Sequence, residues 1–125
     1  MKVVETKKAP KALGPYSQGY VHGGMFCSAG QIAINPETDM VEAQDIEGQT
    51  EQVCKNLAAV LEAAGSSFEK VIKTTCFLAE MSDFVAFNEV YAKYFISKPA
   101  RSCVAVKTLP KNVLCEIEVI AIVEE

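Results

Sequence analysis

The chain has 125 residues, half of them hydrophobic and 22% charged, with a net charge of −4 and a positive mean hydropathy. That length fits one domain, and an acidic balance with no basic cluster argues against a nucleic-acid-binding role. No apolar run reaches membrane-spanning length and Met1–Lys7 has no signal-peptide core, so a cytoplasmic protein with no membrane attachment is expected.

In chain order, Lys7, Lys8 and Lys11 read as a solvated tail. Ser17 to His22 and Met25 to Ala29 then flank Gly23-Gly24 as a β-hairpin. Asn35-Pro36-Glu37-Thr38 is a turn signal. The spacing of Val53, Leu57, Val60, Leu61 and Ala64 predicts a helix over 46–64 with Gly65 as its stop. Val71 to Ala79 is rich in β-branched residues and reads as a strand. Ser82 or Asp83 is the expected cap of a second helix, in which Phe84, Phe87, Tyr91, Tyr94 and Phe95 form a stripe. At helical spacing that stripe reads as core packing rather than as a stacking platform.

Two strands close the chain, 102–106 and 115–123, joined through Leu109-Pro110-Lys111-Asn112. The order of elements gives an α+β domain with both helices on one face of a sheet. The other face then needs cover. With so apolar a short chain, this favours a homo-oligomer.

Candidate chemistry is sparse. The five cysteines (27, 54, 76, 103 and 115) form no C-x-x-C and suit a reduced protein better than a zinc or disulfide framework. His22, the only histidine, sits at the hairpin turn with no nucleophile motif nearby, and no ligand spacing suggests a metal. Arg101 is the exception. It opens an apolar strand and shares a face with Cys103, while Glu116 and Glu118 share a face of the last strand. A guanidinium beside apolar residues requires an anionic partner. Spacing alone leaves two choices, a salt bridge to a glutamate on a neighbouring strand or an anionic ligand, and leans toward the salt bridge.

Longer motifs shift that balance. Pro99-Ala100-Arg101-Ser102-Cys103-Val104, Leu109-Pro110 and Glu116-Ile117-Glu118 resemble the C-terminal signature of the RidA/YjgF family of reactive-intermediate deaminases. Gly14-Pro15-Tyr16-Ser17-Gln18-Gly19 matches its G-P-Y-x-Q-G, and Ala29-Gly30-Gln31-Ile32 with Asn35-Pro36 resembles its S-G-Q-I-P-x-N-P. Segments 52–65, 71–78 and 83–91 fall in family order, so the resemblance spans nearly the whole chain.

The resemblance implies a chorismate-mutase-like fold, a six-stranded mixed sheet with two helices on one side. It implies a homotrimer with a central barrel and three sites between subunits. The implied activity is hydrolysis of 2-imino acids such as 2-iminobutanoate and 2-iminopropanoate to 2-oxo acids and ammonia, without a cofactor. Arg101 would grip the substrate carboxylate through its planar fork, and the Gly30 N–H would approach the same carboxylate. Glu116 would be the general base for a water oriented by the Cys103 carbonyl, with Glu118 in support. Tyr16 would fix the substrate across the cleft. Asn88 and Ala29 would line it, with Cys103 as pocket wall rather than nucleophile. The chain departs from the pattern at Ala29 (commonly serine), at Lys98 (commonly aromatic), in a shorter 95–99 loop and at Cys115 (commonly aliphatic). A small-carboxylate-binding regulatory protein of the same fold is the alternative reading. Ribonuclease or translation-inhibitor activity, also attached to the family, is disfavoured by the net charge and the lack of a histidine-based cleavage pair.

Overall fold

The computed structural model describes residues 1–124. Its elements are Lys2–Val4 (β1), Gly19–His22 (β2), Met25–Ser28 (β3), Ile34–Asn35 (β4), Met40–Val41 (β5) and Ile46–Ala64 (α1). Val71–Leu78 (β6), Phe84–Tyr94 (α2), Ala100–Ala105 (β7) and Cys115–Ile122 (β8) follow.

Local chemistry accounts for most of these. The first helix begins where the Asp45 side chain accepts the Gly48 N–H at 2.7 Å. It ends at Gly65, whose φ of 80° lets the chain turn left-handed while Ser66 N–H returns to Leu61 O and Gly65 N–H to Glu62 O. The apolar stripe predicted for it is buried throughout.

The second helix starts differently from expectation. A 3₁₀ turn over Met81–Asp83 runs straight into it, so Asp83 already has helical dihedrals and makes no capping hydrogen bond. A capping side chain needs the extended backbone that this continuous winding removes.

Six strands form one mixed sheet in the order β1-β2-β3-β8-β6-β7. Only β6 and β7 are parallel, and α2 connects them. The sheet edge at β1 lies within a segment whose sequence reads as featureless, because three residues are too few to show alternation. The turn at 35–38 joins β4 to β5, a two-stranded ribbon that the sequence did not announce.

Register sorts the side chains. Cys115, Ile117, Val119 and Ala121 of β8 are each at most 2% exposed and pack with Val71, Cys76 and Leu78 of β6 under both helices. On the opposite face the pairing aligns Val3, Tyr20, Cys27, Ile120 and Lys73 in one row. A second row holds Glu118, Thr75 and Ser102, and a third holds Glu116, Phe77 and Val104. Val3, Tyr20, Met25 and Val104 lie 36–48% exposed on this uncovered face.

That geometry overturns the salt bridge between neighbouring strands. β6 stands between β7 and β8. Arg101 pairs in register with Thr74 on the helix side, whereas Glu116 pairs with Phe77 on the open side. Within one chain the sheet itself separates the guanidinium from the carboxylate. Among the described residues the single ion pair is an exposed one, Lys70 with Glu124 at 3.9 Å.

Candidate functional site

Glu116 stands on the open face near the start of β8, half-buried beside the segment 29–32. That segment is stitched to β8 by Gln31 N–H to Ile117 O at 2.8 Å and Ile117 N–H to Gln31 O at 3.1 Å. Buried Asn56 reaches up from α1 and donates to Ile32 O and Ile34 O, and Ala29 N–H is bonded to Gln18 O. Gly30 is thereby pressed against the glutamate. A Cβ on Gly30 would overlap Glu116 Oε2 and come within 2.8 Å of its Cδ. The glycine therefore makes room for the carboxylate itself, a role beyond the substrate approach that the resemblance implied.

Tyr16 completes this side. Its hydroxyl oxygen accepts the Leu13 N–H at 3.1 Å, leaving the O–H proton available to a ligand, and its ring is half exposed. The segment carrying it is tied down by Gln18. The Gln18 amide donates to Thr6 O, Ala9 O and Pro10 O and accepts the Thr6 N–H, so a 4%-exposed polar side chain is fully used. Together Tyr16, Ala29, Gly30, Ile32, Pro110 and Glu116 line a groove of about 430 Å³, within the range of small-ligand pockets. Burial, and then the neighbouring Glu118 charge, push the Glu116 carboxyl above its ordinary value.

Arg101 belongs to a second cluster. It projects from β7 toward α2, where Nη1 donates to Asn88 Oδ1 at 2.8 Å. Its Cζ lies over two aromatic rings, 4.8 Å from the Tyr91 centroid and 5.4 Å from that of Phe84. Cys103, one pleat along, shares this face and is half-buried against the core. Burial pushes its thiol up, and that of Cys76 beside it up to about 12, so neither is poised as a thiolate nucleophile.

The expected site residues thus fall into two groups. Tyr16, Ala29, Gly30 and Glu116 share the groove. Asn88, Arg101 and Cys103 share the cluster at the edge strand, and one chain does not bring the two together. The Asn88 side-chain carbonyl accepts from Arg101. His22 is exposed at the end of β2 and aligns through Met25 with Ile122, far along β8 from Glu116. Sequence reasoning missed Gln18 and Asn56. Gln18 lies within a quoted motif, but nothing in one sequence marks a polar helical residue such as Asn56 as a brace for a distant loop. Among the described residues no three His, Cys, Asp or Glu side chains gather as a metal centre requires, and no helix is long and apolar enough to cross a membrane.

A family model described as Endoribonuclease L-PSP matches residues 6–123. A Lactococcus lactis protein provisionally named regulator AldR is 52% identical over 122 residues, covering 97% of each chain. The 2-iminobutanoate/2-iminopropanoate deaminase of Escherichia coli is 43% identical over 125 residues, again covering 97% of each. Among solved structures, YyfA of Yersinia pestis, a Rid-family protein, superposes with a TM-score of 0.94 at 49% identity, covering 98% of each chain. Escherichia coli TdcF with bound serine superposes with a TM-score of 0.94 at 41% identity, covering 99% of this chain and all of the other.

Proposed function

The chain belongs to the Endoribonuclease L-PSP family, the YjgF/RidA group, and on that premise we propose that it is a deaminase hydrolysing 2-imino acids to 2-oxo acids and ammonia. The observation that carries this reading is the uncompensated charge of Arg101. Among the described residues its guanidinium makes one hydrogen bond, to a neutral amide. Its Cζ lies over the Phe84 and Tyr91 rings, while N–H groups of its fork remain for a carboxylate.

The two clusters meet when a second copy presents its groove to the first copy's edge strand. Three copies closing over the apolar open face would make three such sites and bury Val3, Tyr20, Met25 and Val104. TdcF, similar to this chain, carries bound serine, a molecule with a carboxylate of the size this site would take.

In the proposed reaction Arg101 of one copy holds the substrate carboxylate. Glu116 of the other takes a proton from water as its oxygen bonds to C2, giving a carbinolamine. From the protonated imine this carbinolamine is neutral. The same carboxyl then returns the proton to nitrogen, and the C–N bond breaks as ammonia leaves. The hydroxyl proton passes back to the Glu116 carboxylate as the oxygen becomes the 2-oxo group. A carboxylate whose pKa burial has raised is a stronger base for this step. Tyr16 orients the substrate, and the Cys103 carbonyl orients the water. Imines hydrolyse unaided, so positioning and one tuned carboxylate suffice. No cofactor is called for in this scheme, and a cytoplasmic setting would match it.

The test generates 2-iminobutanoate with a threonine dehydratase and follows its capture by semicarbazide. Wild type should suppress semicarbazone formation and Arg101→Ala should not; equal suppression by both would sink the assignment. The relative named as a regulator favours a second reading, a carboxylate-binding protein with little turnover. That reading wins if 2-oxobutanoate binds in an Arg101-dependent way while semicarbazone forms at the uncatalysed rate.

A further inference from the structure

The aromatic stripe of α2 was expected to be core alone. Phe87 and Phe95 fit that expectation, both at most 2% exposed. Tyr91 does more. It stacks on Phe95 with centroids 4.2 Å apart and an interplanar angle of 20°, and Phe95 in turn meets Phe68 edge-on at 5.1 Å. Its hydroxyl is bonded to Thr74 Oγ1 at 2.7 Å, and Thr74 is the register partner of Arg101 on the adjacent strand. The column of rings therefore ends on the guanidinium, whose backbone is held by the same strand that anchors the ring.

We infer that Tyr91, Phe84 and Asn88 are positioning residues that hold the Arg101 fork in its carboxylate-binding pose before substrate arrives. This deepens the deaminase reading and rests on it. An unrestrained arginine has several rotatable bonds, and freezing them on binding subtracts from affinity. The Tyr91 and Phe84 rings bear the cation with Cζ 4.8 and 5.4 Å from their centroids, and Asn88 fixes one N–H, so orientation is set with donors to spare. A carboxylate at position 88 would have neutralised the charge; the neutral amide orients it and leaves it available. The i, i+4 spacing of Phe84 and Asn88, with Tyr91 three residues on, places all three on one side of α2 facing β7.

The experiment has two independent readouts on the full-length protein. Side-chain ¹⁵N NMR of the Arg101 Nε–H group reports the pose directly. In wild type the resonance should be displaced by ring currents and exchange slowly with water; in Tyr91→Leu and Asn88→Ala it should move toward the free-arginine position. Titration with 2-oxobutanoate reports the consequence. Asn88→Ala and Tyr91→Leu should each weaken binding about tenfold, the scale of a hydrogen bond to a charged group, whereas Tyr91→Phe, which keeps the ring, should stay within about twofold. Turnover should follow as a rise in KM larger than any fall in kcat.

In an Arg101→Lys background the Asn88→Ala effect should largely vanish, since lysine has no fork to orient. An unmoved Arg101 resonance in both variants, or an equal loss from Asn88→Ala in the wild-type and Arg101→Lys backgrounds, overturns the inference. Should Tyr91→Leu fail to fold, the half-buried Asn88→Ala and the conservative Tyr91→Phe still decide it. Should wild type bind no 2-oxobutanoate, the deaminase reading falls, and the Arg101 resonance still decides whether the ring platform holds the side chain.

Discussion

The two clusters are built in opposite ways. Arg101 rides on regular structure: a strand in parallel register with β6, a helix face and a stack of rings, all local to β6-α2-β7. Glu116 also sits on a strand, but the rest of its groove comes from irregular chain at 10–16 and 29–32, held by the buried amides of Gln18 and Asn56. The contrast teaches that the proposed binding charge is fixed by packing, while the proposed base depends on hydrogen-bonded loops. A loop pinned by a buried amide loses its hold when that amide is removed.

The largest expected effect separates the halves by what each does to turnover. Glu116→Gln should lower kcat by about 10²–10⁴, the usual worth of a general base, while 2-oxobutanoate binding through Arg101 survives. The same variant should be more stable than wild type at neutral pH. The Glu116 carboxyl titrates higher in the folded protein than in the unfolded chain, so the folded state binds more protons in that window. Stability of wild type therefore falls as pH rises through it, and glutamine escapes that loss. Thermal melts should show the advantage of Glu116→Gln above the raised folded pKa and its disappearance below about pH 4, where the unfolded carboxyl is also protonated. Wild-type kcat should rise over the same interval as the base ionises.

A smaller but more diagnostic effect follows from the sheet lying between the halves. Arg101→Ala and Glu116→Gln chains, each inactive, should regain activity when unfolded together and refolded. Random assortment leaves about one site in four with both groups intact. Complete absence of recovery, with mixed oligomers confirmed by mass, would mean that one copy's Arg101 and another's Glu116 do not serve the same site.

The smallest effect tests the loop that delivers β7 to the sheet. Lys98 is exposed, with a φ of 51°, directly before Pro99. A left-handed residue with a Cβ is strained, so Lys98→Gly should raise stability by about 0.5–1 kcal/mol after the added entropy of the unfolded chain is offset. Its deaminase rate should be unchanged, since Arg101 is held by α2 rather than by this loop. A raised Tm with altered KM would break the contrast between a packed half and a loop-dependent half.

Much of the fold was legible in the chain. The first helix matched over Ile46–Ala64 with Gly65 as its stop, because periodicity and a glycine stop are local signals. β8 matched because Cys115, Ile117, Val119 and Ala121 alternate with glutamates and isoleucines over eight residues. The second helix lost its predicted cap to a 3₁₀ turn that composition does not reveal. β1 and the β4–β5 ribbon were too short to show a period. The resemblance put Tyr16, Gly30, Glu116 and Arg101 at clefts between subunits, and a single chain holds them as two clusters; motif order by itself carries no information about which face of the sheet each segment reaches.

Sequence determined which residues of each strand share a face, since side chains alternate with period two whatever the partner. It also determined that an arginine and two glutamates would sit among apolar neighbours. Strand order belonged to the tertiary structure alone. By inserting β6 between β7 and β8 and turning Arg101 toward the helices, the fold removed the intrachain ion pair that spacing had favoured. A charge left among aromatic rings without a counterion on the neighbouring strands is free to take an anion from outside the chain, as the proposed reaction requires.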